Sequence, residues 1–229
     1  MRSRLLTPLL CLVMLSACGK PTVPPPVQPP PKGPAVTTVL SYDLVLDLAK
    51  EGNHDAEFEL GAMFHDGDGV EQDYAQALPW YRKAANAGNR QAMFNLGMMY
   101  KNGEGVSADP AAARGWFVRA SDAGDVRAAQ QLGTMAYEAK DFAKALQYFL
   151  KAAKGELPEA QLNAGVMYVR GEGVPAQDVI EGYAWLTLAK ENGNARAASM
   201  LESLLEKMTA EEKTAGEARL EAVRKEIKK

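Results

Sequence analysis

Residues 92–110 read AMFNLGMMYKNGEGVSADP. At 100° per residue, Ala92, Leu96, Gly97, Met99 and Tyr100 fall within one sector of a helical wheel. Alanine, leucine and methionine are good helix formers. Gly103 stands where a left-handed residue closes a helix, and Gly105 allows a second sharp turn. Val106 returns to the core. Asp109 then offers a carboxylate to free backbone N–H groups, with Pro110 at a first helical position that needs no N–H. The stretch reads as helix, turn, helix.

The glycines also invite a chemical reading, as a phosphate cradle or a metal loop. Gly103-Glu104-Gly105-Val106 recurs as Gly171-Glu172-Gly173-Val174 and nearly as Gly67-Asp68-Gly69-Val70. Asp66-Gly67-Asp68-Gly69 begins like a calcium loop. An EF-hand then needs Asp or Asn, Gly and finally Glu where this chain has Val70, Glu71 and Ala77. Gln72 stands where a dinucleotide loop needs its third glycine, and no strand precedes it. The glycines are turns, and the acid between them is expected to be solvated.

Working outward, the same frame appears four times. An alanine (Ala56, Ala92, Ala128, Ala160) is followed four residues later by Leu60-Gly61, Leu96-Gly97, Leu132-Gly133 or Ala164-Gly165. Eight residues after the alanine stands Phe64, Tyr100, Ala136 or Tyr168. An aspartate (Asp73, Asp109, Asp141, Asp178) precedes Trp80, Trp116, Tyr148 or Trp185 by seven residues, and the next alanine lies twelve beyond. Only the alanine-to-aspartate spacing varies: 17, 17, 13 and 18. The third copy lacks the glycine loop. The glycine in each first helix implies close approach of a neighbouring helix. Pro79, well inside its helix, predicts a kink.

A helix pair repeated every 32–37 residues predicts an all-α solenoid of antiparallel pairs. The pattern of alanine, Leu-Gly, tyrosine, Gly-x-Gly-Val, aspartate, aromatic, Ala-Ala and Gly-Asn/Asp resembles the Sel-1-like repeat (SLR) family, related to tetratricopeptide repeats. The resemblance covers roughly residues 42–200. It implies a right-handed superhelix, with repeats near 56–91, 92–127, 128–159 and 160–196 in a solenoid of residues 41–208. Ser41 to Lys50 reads as a lone second helix. One more first helix follows Ala197. Thr209-Ala210-Glu211-Glu212 is a capping-box pattern that opens a polar final helix within 209–229.

The N-terminal end reads as a targeting segment. Arg2 and Arg4 precede a short apolar run, Leu5 to Leu15, too short to span a bilayer. Leu15-Ser16-Ala17-Cys18 resembles a bacterial lipobox, which implies a signal peptide over residues 1–17 and lipidation of Cys18. Residues 18–40 then form the lipidated cysteine and a proline-rich linker, with eight prolines among residues 21–34. Such a tether favours polyproline II and spans about 40 Å at roughly 3.1 Å per residue. A second reading makes it a proline-rich ligand for a partner groove. Gly19, not aspartate, after Cys18 favours the outer membrane by common bacterial sorting rules, facing the periplasm. Lys20 pulls the other way.

Removing Arg2 and Arg4 leaves 24 basic against 29 acidic residues, a formal −5. That argues against nucleic acid and against a basic membrane-binding face. The two cysteines, Cys11 and Cys18, leave no disulfide or cysteine metal site in the mature chain. His54 and His65 are the only histidines and make no ligand-spaced pair, so no metal, cofactor or catalytic residue is predicted. Met63, Met99, Met135 and Met167 share one column, read as core. A second stripe carries Phe58, Phe94 and Leu162, with Ala62, Met98 and Val166 beside it and Tyr137 and Val169 nearby. It either packs successive first helices together or lines a concave groove, where His65, Lys101, Gln130 and Arg170 add polar contacts. The resemblance implies a non-enzymatic scaffold or adaptor for an envelope protein or peptide. The alternatives are an assembly or secretion factor for an envelope polymer, and a β-lactam-binding or hydrolysing relative. The last is disfavoured by the missing cysteine pairs.

Overall fold

The computed structural model describes residues 41–228. The lipobox, Cys18 and the proline-rich segment lie outside them. Among the described residues there are eleven α-helices and no strand: α1 Tyr42–Lys50, α2 His54–Asp66, α3 Tyr74–Asn86, α4 Arg90–Asn102, α5 Pro110–Asp122, α6 Val126–Glu138, α7 Phe142–Lys154, α8 Pro158–Arg170, α9 Val179–Glu191, α10 Ala195–Leu205 and α11 Ala210–Ile227. First helices α2, α4, α6 and α8 pack on second helices α3, α5, α7 and α9, and each second helix packs on the next first helix. The result is a solenoid of helix pairs, with α1 a lone second helix at one end and α10 covering α9 at the other.

Local chemistry sets each boundary. Asp73 accepts from the Gln76 backbone N–H, Asp109 from Ala111 and Ala112, and Asp178 from Ile180 and Glu181. Asn53, Asn89, Asp125 and Asn194 cap first helices in the same way. Leu157 offers no side-chain cap before α8, which starts at Pro158 instead. Left-handed Gly67 and Gly103 close α2 and α4, donating to the Met63 and Met99 carbonyls at 2.9 and 2.8 Å. α3 continues unbroken through exposed Pro79. The expected capping box forms at Thr209 and Glu212.

The repeat core is built of leucine and alanine. Leu60, Leu96, Ala77, Ala84, Ala113 and Ala120 have no exposed surface. Each buried leucine contributes about 1.5–3 kcal/mol, while alanine lets helix axes approach. The helical glycines take that approach to its limit. A Cβ on Gly97 would stand 2.5 Å from the Phe117 ring, and one on Gly61 2.7 Å from Tyr81. Gly133 faces Phe149, and Gly165 faces Leu186.

The residue that meets each glycine stands eight positions after the aspartate, not seven. Trp80, Trp116 and Tyr148 are half-buried one position earlier. Lys83 Nζ lies 4.0 Å from the Trp80 ring centroid, and the Arg119 guanidinium 4.3 Å from that of Trp116. Trp185 is buried, in the cluster that α11 joins through Leu220 and Val223. α11 is also tied to α9 by Arg219–Glu181 and by Arg224–Glu191 at 2.6 Å. Polar overall, it closes the stack with one apolar stripe.

Candidate binding groove

The first-helix stripe divides into two halves. In the N-terminal half the aromatic rings lean on their own repeat. Phe58 lies 5.8 Å from Tyr81 between ring centroids, and Phe94 lies 5.8 Å from Phe117. The Arg127 guanidinium stacks 4.2 Å from the Phe94 ring centroid. Ala62 and Met98 are half-buried against the same cluster. Lys101 is exposed and donates to Gln131 Oε1 at 2.7 Å. Gln130 is half-buried, and its Oε1 has no hydrogen-bond partner. Burial pushes the Tyr81 hydroxyl pKa well above the ordinary tyrosine value, against an opposing hydrogen bond with Asn95.

His65 sits where two repeats meet. Its Nδ1 is 2.6 Å from Asp66 Oδ1, its Nε2 is 3.4 Å from Glu104 Oε2, and its ring stands edge-on to Tyr74. Glu104 is the acid between the loop glycines, so it is not simply solvated: the loop of one repeat reaches the last turn of the previous first helix. Tyr137 repeats the arrangement edge-on to Phe142, 5.2 Å between centroids. The acid of the following loop, Glu172, has one buried oxygen without a hydrogen bond.

In the C-terminal half the stripe opens. A cavity of about 470 Å³ lies between α8, α9, α10 and the turn into α11. A second, about 280 Å³, lies between α6, α7, α8 and α10. Val166, Arg170 and Met200 line both, so the two adjoin. Val166, Val169, Leu186 and Leu204 give an apolar floor, and Arg170, Arg196 and Lys207 supply cations. Arg196 is held 3.0 Å from Glu159. Leu162 is 1% exposed, a core residue under the groove rather than contact surface.

The helix expected after Ala197 is present as α10, but the stripe read from the sequence left it out of the groove, to which it supplies Ser199, Met200 and Ser203. A signal was available: Ser199 and Ser203 follow Ala197 by two and six residues, as Phe58 and Ala62 follow Ala56. Among the described residues, no group of three or more His, Cys, Asp or Glu is placed to hold a metal ion.

Residues 54–89, 90–125, 127–156 and 158–194 each match the Sel1 repeat model. The chain belongs to the Sel1 repeat family. Two solved structures share 30% identity with this Sel1-repeat chain. One is a protective antigen present in uropathogenic Escherichia coli strains and displaying an SLR fold. It has a TM-score of 0.72 and covers 76% of this chain and 38% of its own. The other is a Sel1 repeat protein from Oxalobacter formigenes, with a TM-score of 0.63, covering 70% of this chain and 65% of its own. This Sel1-repeat chain therefore spans less than two thirds of either relative. No curated protein sequence matches it. Sel1-repeat proteins generally mediate protein–protein interactions, and the fold is typically a non-catalytic scaffold.

Proposed function

We propose that this Sel1-repeat protein is a lipid-anchored adaptor of the bacterial cell envelope that holds a protein or peptide partner in its C-terminal groove. The observation that carries the reading is the pair of adjoining cavities along α6, α8 and α10, apolar at the floor, with Arg170, Arg196, Lys207 and Glu212 as charged groups around them. Concave apolar surface with a few placed polar groups is what a binding site requires. Half-buried valine and methionine can be covered by a partner at little cost to the fold.

The anchor rests on the lipobox at residues 15–18 and the proline-rich tether beyond it. Lipid on Cys18 holds the solenoid at a membrane, outer rather than inner on the strength of Gly19, with the groove facing the periplasm. Cys18→Ser tests the anchor: the variant is expected to leave the membrane fraction. Wild-type protein found wholly in the inner membrane would refute the outer-membrane assignment. The groove is tested by capture of partners from crosslinked envelopes with wild-type and Val166→Asp chains. A folded Val166→Asp chain that captures the same proteins would refute it.

A further inference from the structure

The joint between the first two repeats sets a histidine between two carboxylates. His65 Nδ1 is 2.6 Å from Asp66 Oδ1, and its Nε2 is 3.4 Å from Glu104 Oε2. Each contact needs a ring N–H, and only the imidazolium carries one on both nitrogens. A neutral ring keeps a single N–H, and its other nitrogen turns a lone pair toward a carboxylate. The shorter contact, to Asp66, is made within the end of α2. The longer one, to Glu104, crosses to the next repeat and is the one that loses its proton.

The surroundings leave the histidine as the charge partner of both acids. From α3 the ring meets Tyr74 and Tyr81, 5.1 and 6.1 Å between centroids, and Glu59 and Asp66 act on Tyr81. Asp68 and Glu71 of the loop after α2 are exposed. The cations of α3 and α4 are engaged elsewhere: Arg82 with Tyr100, Lys83 with Trp80, Arg90 beside Gly124 and Lys101 with Gln131. Asn102 Nδ2 donates to Glu104 Oε1 at 2.9 Å, which aims the other oxygen at His65. The fourth repeat repeats the loop but not the pair, since Tyr137 holds the histidine position and Glu172 keeps a buried oxygen without a hydrogen bond. The other histidine, His54, meets Glu57 of its own helix at 2.9 Å.

We propose that His65 is a pH-sensitive latch on the joint between the first two repeats: its imidazolium holds the Glu104 loop, and the neutral ring releases it. The ordinary histidine value is about 6.5. The latch is therefore complete below the histidine range and is lost as pH rises through it. Gly105 stays against the Tyr74 carbonyl in either state, so the latch sets how firmly the loop is held rather than where it lies. The matching residue of α4, Lys101, also reaches the next repeat, at Gln131, but as a cation on both sides of that range. The latch is independent of the C-terminal groove, and each can fail without the other.

The test is amide hydrogen exchange of the full chain in detergent, read by NMR at pH 5.5 and pH 8 and corrected for intrinsic rates. The reporter is the residue-104 amide, which donates to the Met99 carbonyl at 3.0 Å. Its protection in the wild type is expected to fall about two- to fivefold between the two values, the scale of a half-exposed ion pair. His65→Gln and Glu104→Gln should each remove that step. His65→Lys, a permanent cation, should keep the protection high at both values. His54 is present in every chain, so its own titration cancels. Equal wild-type protection at both pH values, or a step that survives in folded His65→Gln or Glu104→Gln, would overturn the proposal.

Discussion

Gly105 lies against the backbone of Tyr74: a Cβ built on it would stand 2.5 Å from that residue's carbonyl carbon and oxygen. Its φ is +67°, a left-handed value. The second glycine of the loop is therefore both a turn and the joint between two repeats. Gly52, with φ +85° and open space around it, is only a turn. Gly52→Ala is expected to cost about 1–2 kcal/mol from strain alone, and Gly105→Ala clearly more. Urea denaturation of the two variants checks the order; equal losses would show that the inter-repeat contact does not constrain the loop.

Two helical glycines separate packing from propensity. Gly97 faces Phe117 at 2.5 Å, while Gly115 has nothing within 4 Å of a built Cβ. Gly115→Ala should stabilise by about 0.5–1 kcal/mol. Gly97→Ala should destabilise by about 1–3 kcal/mol through overpacking. Adding Phe117→Leu should recover part of that loss, since the fourth repeat already sets Leu186 against Gly165. Thermal unfolding of the three chains gives the signs.

Stability at high pH is expected to depend on Tyr81. Burial raises its pKa in the fold, so the fold holds the neutral form. That contribution is complete below the unfolded tyrosine value, about 10, and is lost as pH rises beyond it. Burial raises Tyr42 and Tyr168 in the same direction. Asp73 runs the opposite way: its hydrogen bond with the Gln76 side chain holds the carboxyl low, so its contribution is lost as pH falls through the acid range. Tyr81→Phe, which copies Phe117 and Phe149, should flatten the decline in urea midpoint above pH 10. An unchanged slope would assign the decline to other groups.

Core and groove are distinguished within α8. Leu162 is 1% exposed, so Leu162→Asp buries an unpaired charge and should cost about 4 kcal/mol or more. Val166 is half-buried and lines both cavities, so Val166→Asp should keep the helical circular-dichroism signal. Collapse of both variants alike would make Val166 core.

The repeat frame was legible because it rests on short-range chemistry. Alanine and Leu-Gly mark one helix face, and aspartate or asparagine caps the next start. What needed three dimensions was the pairing between helices. Tyr81 and Trp80 are adjacent and both aromatic, and only the direction of α2 shows which one meets Gly61. The solvated reading of Glu104 failed because His65 belongs to the previous repeat. The methionine column was read as core throughout, yet Met135 is half-buried where the loop is missing. α10 was overlooked as groove wall because it lacks Leu-Gly, the marker that identified the other first helices.

The most direct test of the adaptor account places a photo-crosslinking amino acid at position 200 in the groove, and separately at exposed position 115. Met200 lines both cavities. Irradiation of intact cells should yield a discrete protein adduct from position 200 that disappears when Val166→Asp is added, and none from position 115. Adducts formed equally from both positions, or an adduct at 200 that persists in a folded Val166→Asp chain, would contradict the groove as the partner site.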